Sequence, residues 1–400
     1  MNTHDTPPAA AAYYRNILTR GGPAGSLLES REGAEPKPDL TNSGITERLD
    51  YARYGWSDVI KRHFGDKPSL HRLTQKLVKQ ADIALRIVRD DDDALLANNP
   101  DELANLESIV RLDGSRPSFM IRDGQVDLTT SPAGSWSDQL IAAEPNLRQA
   151  LRCVARINYP KASGKFVGTG FLVSDNLLFT NRHVLDAVAD KGPTGSWIFR
   201  KGVTINFGHE YQTSTMAQVR LPKSVLFSGT TLGVDINHAD TDAALIELEP
   251  RTAGTEFEEA LGIEQTPDWA ELGTFIYTIG YPANPGMPAV GSGVTLTLLE
   301  QLFKSTYGLK RLAPGELIAL DSGLTNRTLA HDATTLGGNS GSAIVHAGRP
   351  TMVCGLHYAG RSRVPRTNWG HTLMHILDSV DGDVPVTLRD RLRAQGVLVD

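Results

Sequence analysis

Cysteine is scarce. Cys153 and Cys354 are the two in 400 residues, and they lie far apart in the chain. That excludes a scaffold stapled by several disulfides and fits a reducing compartment, with both thiols as buried apolar groups. Clustered positive charge is absent as well. The 40 Lys and Arg stand against 46 Asp and Glu, a net charge of −6, and the basic residues are scattered. A nucleic-acid surface needs a basic patch, so nucleic acid is not an expected partner. No apolar run approaches the roughly 18 residues that a membrane span requires. The N-terminus, from Met1 to Pro8, has neither a basic n-region nor an apolar h-region, so no signal peptide is read there. The expectation is a soluble, cytoplasmic protein with no membrane partner.

What is present is an ordinary globular composition, 40% hydrophobic and 22% charged, and no internal repeat. The length suits two or three domains of roughly 100–200 residues each. Residues 1–42, rich in Ala, Gly, Pro and Ser, read as a flexible leader with a short helix near Tyr13–Thr19. Residues 43–115 read as a small helical domain. After Pro68, the residues Leu70, Leu73, Leu77, Ala81, Leu85 and Val88 form a stripe, the acidic run Asp90–Asp93 ends it, and Pro100 opens another helix. Residues 116–150 form a connector. Asp123-Gly124 between apolar runs signals a hairpin, a helix follows over Ser137–Ala143, and Pro145 stops it and opens another turn or two toward Ala150. From 151 to 385 about a dozen short strand-like runs recur with turns between them and no regular helix, which implies an all-β barrel or sandwich. A helix over Thr387–Gln395 closes the chain within residues 386–400.

Three segments carry chemistry. In residues 168–185, a strand pair ends in a turn that presents His183. In residues 239–250, Asp242 precedes the apolar strand 243–248, with Asp235, Asp240 and His238 nearby. In residues 334–345, Ser340 sits on a glycine-rich turn. A serine hydroxyl needs a base to take its proton, and an imidazole titrating near 6.5 does that around neutral pH. A carboxylate on the other ring nitrogen fixes the tautomer. Backbone N–H groups on the turn, those of Gly338 and Ser340, are candidates to hold an oxyanion. His371 and His375 have the spacing of a helical metal pair but lack a third ligand, so neither a metal nor another cofactor is expected.

These segments resemble the trypsin-like, chymotrypsin-fold serine proteases, and most of all the bacterial branch of V8-like glutamyl endopeptidases. The matching runs are Thr180-Asn181-Arg182-His183-Val184, Asp242-Ala243-Ala244-Leu245-Ile246 and Gly338-Asn339-Ser340-Gly341-Ser342, together with Gly280-Tyr281-Pro282. The order His, Asp, Ser also disfavours an α/β-hydrolase, in which Ser comes first. The resemblance covers roughly residues 150–385. It implies an all-β double barrel behind an N-terminal mostly helical domain. It also implies a serine endopeptidase with His183, Asp242 and Ser340 as the triad and a protein or peptide as substrate. By the same resemblance Thr335, His357, Tyr358 and Ala359 fall at the substrate pocket. Thr335 and His357 match residues that hold an acidic P1 side chain, and Arg361 or Arg363 would replace the charge of the family's free N-terminal amine. The other reading gives His357 a pocket for a different P1 residue. The family also implies a bacterial defence or signalling effector, with a bacterial gasdermin as one target and a partner or activator bound through the helical domain. Two alternatives stand beside it: a catalytically silent partner-binding module regulated by the helical domain, and a zymogen whose helical domain occludes the cleft.

Overall fold

The computed structural model of the chain describes residues 40–46, 48–50, 68–90 and 115–399, together with Tyr14, Leu18, Arg53, Asp92 and Leu95. Outside it within those ranges are 132, 134–135, 163, 214–218, 231–236, 252–259, 267–268, 285–302, 319–323, 362–366 and 383.

Tyr14 and Leu18 are helical and buried, four residues apart as one helix face requires. Helix α1 (Pro68–Arg89) opens on its proline, where a missing N–H leaves no bond unmade. Ala81, Leu85 and Val88 of the expected stripe are fully buried. The side chains of Leu70, Leu73 and Leu77 and the helix expected at Pro100 lie outside the described residues. Among the described residues no helix is long and apolar enough to cross a membrane.

Strands β1 (Phe119–Arg122) and β2 (Gln125–Asp127) pair with Arg122 opposite Gln125. Asp123 and Gly124 turn the hairpin with φ of 49° and 75°, the positive pair that a two-residue type I′ turn demands. Helix α2 (Trp136–Ala142) follows, then α3 (Glu144–Cys153). The turn or two expected after Pro145 is a full helix, because proline is tolerated in a first turn and Leu147, Ala150 and Leu151 then bury one face.

The strands continue as β3 (Val154–Asn158), β4 (Phe166–Ser174) and β5 (Leu177–Thr180). After α4 (Arg182–Val188) come β6 (Ala189–Lys191), β7 (Trp197–Phe199), β8 (Thr204–Asn206) and β9 (Val219–Arg220). Then come β10 (Pro222–Ser228), β11 (Ala244–Leu248), β12 (Gly262–Ile263) and β13 (Phe275–Gly280). The last strands are β14 (Arg311–Ile318), β15 (Thr328–His331), β16 (Ala343–His346), β17 (Arg349–Arg361) and β18 (Thr367–Thr372). Helices α5 (Leu373–Ile376) and α6 (Leu388–Ala394) close the chain. Thr387 and Asp390 cap α6 reciprocally, which fixes its start where the sequence put it.

Strands β13, β16, β17, β18, β15 and β14 pair in that order, and β14 pairs back onto β13, so six strands close into a barrel. The β1–β2 hairpin extends this sheet from β14. The second sheet runs β10-β11-β5-β4-β3-β8-β9 as a half-barrel. One apolar core joins the two, with Phe171, Phe179 and Leu245 from the half-barrel and Ile279, Val345 and Leu356 from the closed barrel. This is the expected all-β double barrel.

Two expectations need correcting. One of the dozen strand-like runs in the sequence is residues 316–320, but its strand, β14, begins earlier, at Arg311, and runs through Pro314 and Gly315. Proline is tolerated because Pro314 faces Tyr277 on one side, while β1 pairs only with Arg311 and Leu312 and β15 only with Leu317 and Ile318. No ladder bond is asked of the missing N–H. His371 and His375 do not share a helix face either: His371 is the penultimate residue of a strand, β18, and His375 lies in α5.

Candidate active site

The site lies where the half-barrel meets the closed barrel. In the β5–β11 ladder Ala244 stands opposite Thr180. Continuing that antiparallel register past both strand ends brings Asp242 beside the start of α4, where His183 sits. Asp242 is buried, and its two carboxylate oxygens are both used. Oδ1 accepts the His183 backbone N–H at 3.0 Å and Oδ2 accepts from His183 Nδ1 at 2.6 Å. A carboxylate only accepts, so Nδ1 carries the proton and Nε2 of the neutral ring is left as an acceptor. Of the acids near this strand it is therefore Asp242 that meets His183. Asp240 bonds locally, its N–H to the Asn237 carbonyl at 3.1 Å, and Asp235 lies outside the described residues.

The main chain of Asp242 is held as firmly as its side chain. Asn181 Nδ2 donates to the Asp242 carbonyl at 2.8 Å, and the Asp242 N–H donates to His371 Nε2 at 2.9 Å. His371 is buried, and burial pushes its pKa down to about 4, so it stays neutral with an open acceptor.

Ser340 is half-buried on the turn between β15 and β16, and that turn is tied to the half-barrel. The Thr169 N–H donates to the Ser340 carbonyl and Thr169 Oγ1 to the Gly338 carbonyl, both at 2.8 Å. Tyr281, of the Gly280-Tyr281-Pro282 run, donates its N–H to the same Thr169 oxygen at 3.1 Å. Its buried hydroxyl reaches the Gly208 carbonyl at 2.7 Å. The Ala283 N–H donates to the Gly337 carbonyl at 2.6 Å and the Ser342 N–H to the Asn339 carbonyl at 2.8 Å. A trans peptide aims its N–H opposite to its C=O. The N–H groups of Gly338 and Ser340 therefore point away from those anchors, and among the described residues neither donates to a protein group. The geometry at Gly338 requires glycine: φ is 87°, and a Cβ would stand 2.5 Å from the Tyr281 carbonyl oxygen.

The residues expected at the substrate pocket divide between two faces of β17. Its main chain is zipped to the serine turn by Gly341 N–H to His357 O at 2.9 Å and His357 N–H to Ser342 O at 3.0 Å. His357 is buried, with Nδ1 3.3 Å from Nε2 of the buried His331. Burial, then His331 and His183, hold its pKa well below the ordinary value. Thr335 Oγ1 donates to Asn368 Oδ1 at 2.6 Å, and Asn368 is fixed by the Ala333 carbonyl at 2.8 Å. Tyr358 projects to the other face. Its hydroxyl meets His238 Nδ1 at 2.6 Å, and its ring stacks on His371 with centroids 4.4 Å apart. Ala359 packs beside Tyr358 and Trp369. Arg361 ends β17, and Arg363 lies outside the described residues. Asn181 and Thr169 stood inside runs already singled out, but their bonds to the site are visible only once the sheets are paired. His331 and His371 had no sequence signal for these roles.

Residues 168–351 match the family model described as a trypsin-like peptidase domain. A probable serine protease of Lysobacter enzymogenes is 28% identical over 290 residues, 66% of this chain and 72% of that one. An uncharacterized protein of Sinorhizobium fredii is 30% identical over 142 residues, 30% of this chain and 19% of that one. Among solved structures, neuropsin, a serine protease of mouse brain, superposes with a TM-score of 0.41 at 13% identity, over 57% of this chain and 92% of that one. A Glu endopeptidase gives a TM-score of 0.36 at 19% identity, over 56% and 85%. The chain is thus a serine endopeptidase whose residues 168–351, which reach into both barrels, match a trypsin-like peptidase domain.

Proposed function

We propose that Ser340, His183 and Asp242 form the catalytic triad, and that the Gly338 and Ser340 N–H groups hold the oxyanion. Ser340 Oγ attacks the scissile carbonyl while His183 Nε2 takes its proton, and His183 then returns that proton to the leaving amine. Water repeats the exchange and releases the acyl group. The observation that carries this reading is the pair of hydrogen bonds from His183 to Asp242, at 3.0 and 2.6 Å, which commits Nδ1 as a donor and leaves Nε2 as the base. Labelling with a fluorophosphonate probe tests it. Wild-type protein should be labelled at Ser340, while Ser340→Ala should lose labelling and about 10⁴-fold or more of its peptide cleavage. Cleavage by Ser340→Ala at the wild-type rate would remove Ser340 from the mechanism.

For specificity, an acidic P1 side chain is the reading that Thr335 and His357 support. A buried neutral imidazole beside a carboxylate gains by taking up a proton, so binding of a P1 glutamate should strengthen as the pH falls. Peptides with Glu, Gln or Leu at P1, compared for kcat/KM and KM at two pH values, decide it. If Gln or Leu is cleaved better than Glu at both, the acidic preference is wrong. A role as a bacterial defence or signalling effector is supported by the resemblance of the three motifs. If Ser340→Ala cells resist phage as well as wild-type cells do, the defence role falls.

A further inference from the structure

We propose that His371 is a positioning residue for the catalytic carboxylate: its neutral Nε2 takes the Asp242 main-chain N–H and so sets where Asp242 aims its oxygens. The inference rests on the triad reading above. Among the described residues, His371 is the one group holding Asp242 that comes from the closed barrel. Asn181, His183 and Asp242 belong to the half-barrel and helix α4, whereas His371 lies near the end of β18, opposite Thr328 of β15 and Leu356 of β17. The Asp242 N–H to His371 bond, at 2.9 Å, is thus a strap across the barrel junction at the triad.

The strap is built rather than incidental. A main-chain N–H as buried as that of Asp242 has to find an acceptor, and an imidazole is an unusual choice where a carbonyl would serve. The imidazole is immobilised on its open face by the Tyr358 ring, stacked at 4.4 Å and 21°. Tyr358 is in turn held by His238 Nδ1 at 2.6 Å, and His238 packs edge-on against Trp369 at 4.9 Å. The chain of contacts therefore runs His238, Tyr358, His371, Asp242, His183. It also gives a use to Tyr358, which faces away from His357. A protonated His371 would present a donor to the Asp242 N–H and break the bond, so the arrangement needs the neutral ring. The charged and titratable groups around it are Asp242, Arg327, His238 and Tyr358.

The experiment compares full-length wild type, His371→Leu and His371→Gln. Leucine matches the bulk without an acceptor, whereas glutamine offers its Oε1 near the place of Nε2. Three readouts are taken: the rate of fluorophosphonate labelling at Ser340, kcat and KM on one peptide, and the far-downfield proton resonance of the His183 Nδ1–H bond to Asp242. Thermal melting confirms that each variant is folded. We expect His371→Leu to lose about 10- to 100-fold in kcat with KM little changed and to lose or shift that resonance. His371→Gln should recover most of both. If His371→Leu does not fold, His371→Gln decides: a folded His371→Gln that has lost the resonance and the rate overturns the inference. So does a folded His371→Leu with the wild-type rate and resonance. Wild type that is never labelled at Ser340 brings down the triad reading itself, and with it this one. Labelled wild type with an unaffected His371→Leu brings down this inference alone.

Discussion

A methyl group at Gly341 would sit 1.9 Å from the Thr169 carbonyl oxygen and 2.7 Å from Thr180 Oγ1, on a backbone at φ 87°. Neither neighbour is the loose end of a side chain. Thr180 Oγ1 is itself bound to that carbonyl at 2.7 Å. Gly341→Ala should therefore push the turn off the half-barrel and displace Ser340, with a loss of about 10²-fold or more in kcat/KM. Gly337→Ala is the control. Nothing lies within 4 Å of a Cβ there, and it should keep activity within a factor of about 3. Kinetics of both variants on one peptide settle the matter, and wild-type activity in Gly341→Ala would show that the turn is not held as described. This turn and the run Thr180 to Val184 were legible in the sequence because each places its chemistry within five consecutive residues. The supports were not. Asn181 reaches Asp242 across 61 residues and His371 reaches it across 129, and only the pairing of strands brings them there.

The same limit appears with whole elements. The Asp123-Gly124 hairpin was readable from its turn, but its destination was not. Phe119 pairs with Leu312 of β14, a partner nearly half the chain away, so residues read as a connector extend the barrel sheet. The start of β14 was hidden for a different reason, since Pro314 in a strand looks like its end. Just before β1, Arg116 is buried and forks onto Asp332 at 2.8 Å and Glu316 at 2.9 Å, both also buried. Its carbonyl accepts from Thr334 Oγ1 at 2.8 Å, next to Thr335. Arg116→Ala leaves two carboxylates in the interior without their cation, which costs about 3–5 kcal/mol. Arg116→Lys should recover only part of this, because an ammonium cannot fork. Denaturant unfolding of the three proteins measures it. A midpoint for Arg116→Ala equal to wild type would mean that the segment before β1 does not hold the barrel. A fragment meant to isolate the peptidase should begin before Ser115, not at β3.

Over the whole molecule, several histidines are kept neutral by the fold. His371 and His209 are pushed down to about 4, His357 is held well below its ordinary value, and His346 and His375 are lowered, in each case chiefly by burial. In the unfolded chain each titrates near 6.5. Below that pH the unfolded state binds protons that the folded state refuses, so stability is full above about 6.5 and is lost as the pH falls toward 4. For the buried His371 alone the loss is on the order of 3 kcal/mol by pH 4. Carboxylates act in the same direction at lower pH. Glu247, held down by hydrogen bonds from Lys223 and Ser224, gives up its contribution only as it protonates in the acid range. The upper part of the acid limb therefore belongs to the histidines. Melting temperatures taken between pH 7.5 and 4.5 should be level above 7 and fall by at least about 5 °C below 6.5. The readout has to be folding rather than cleavage, since His183, the base proposed above, must itself be neutral to accept a proton. His209→Asn tolerates the left-handed backbone at that position, φ 56°, and removes one titrating ring, so it should flatten the limb. A wild-type melting temperature unchanged down to pH 4.5 would mean that the folded protein admits charge where these rings are packed.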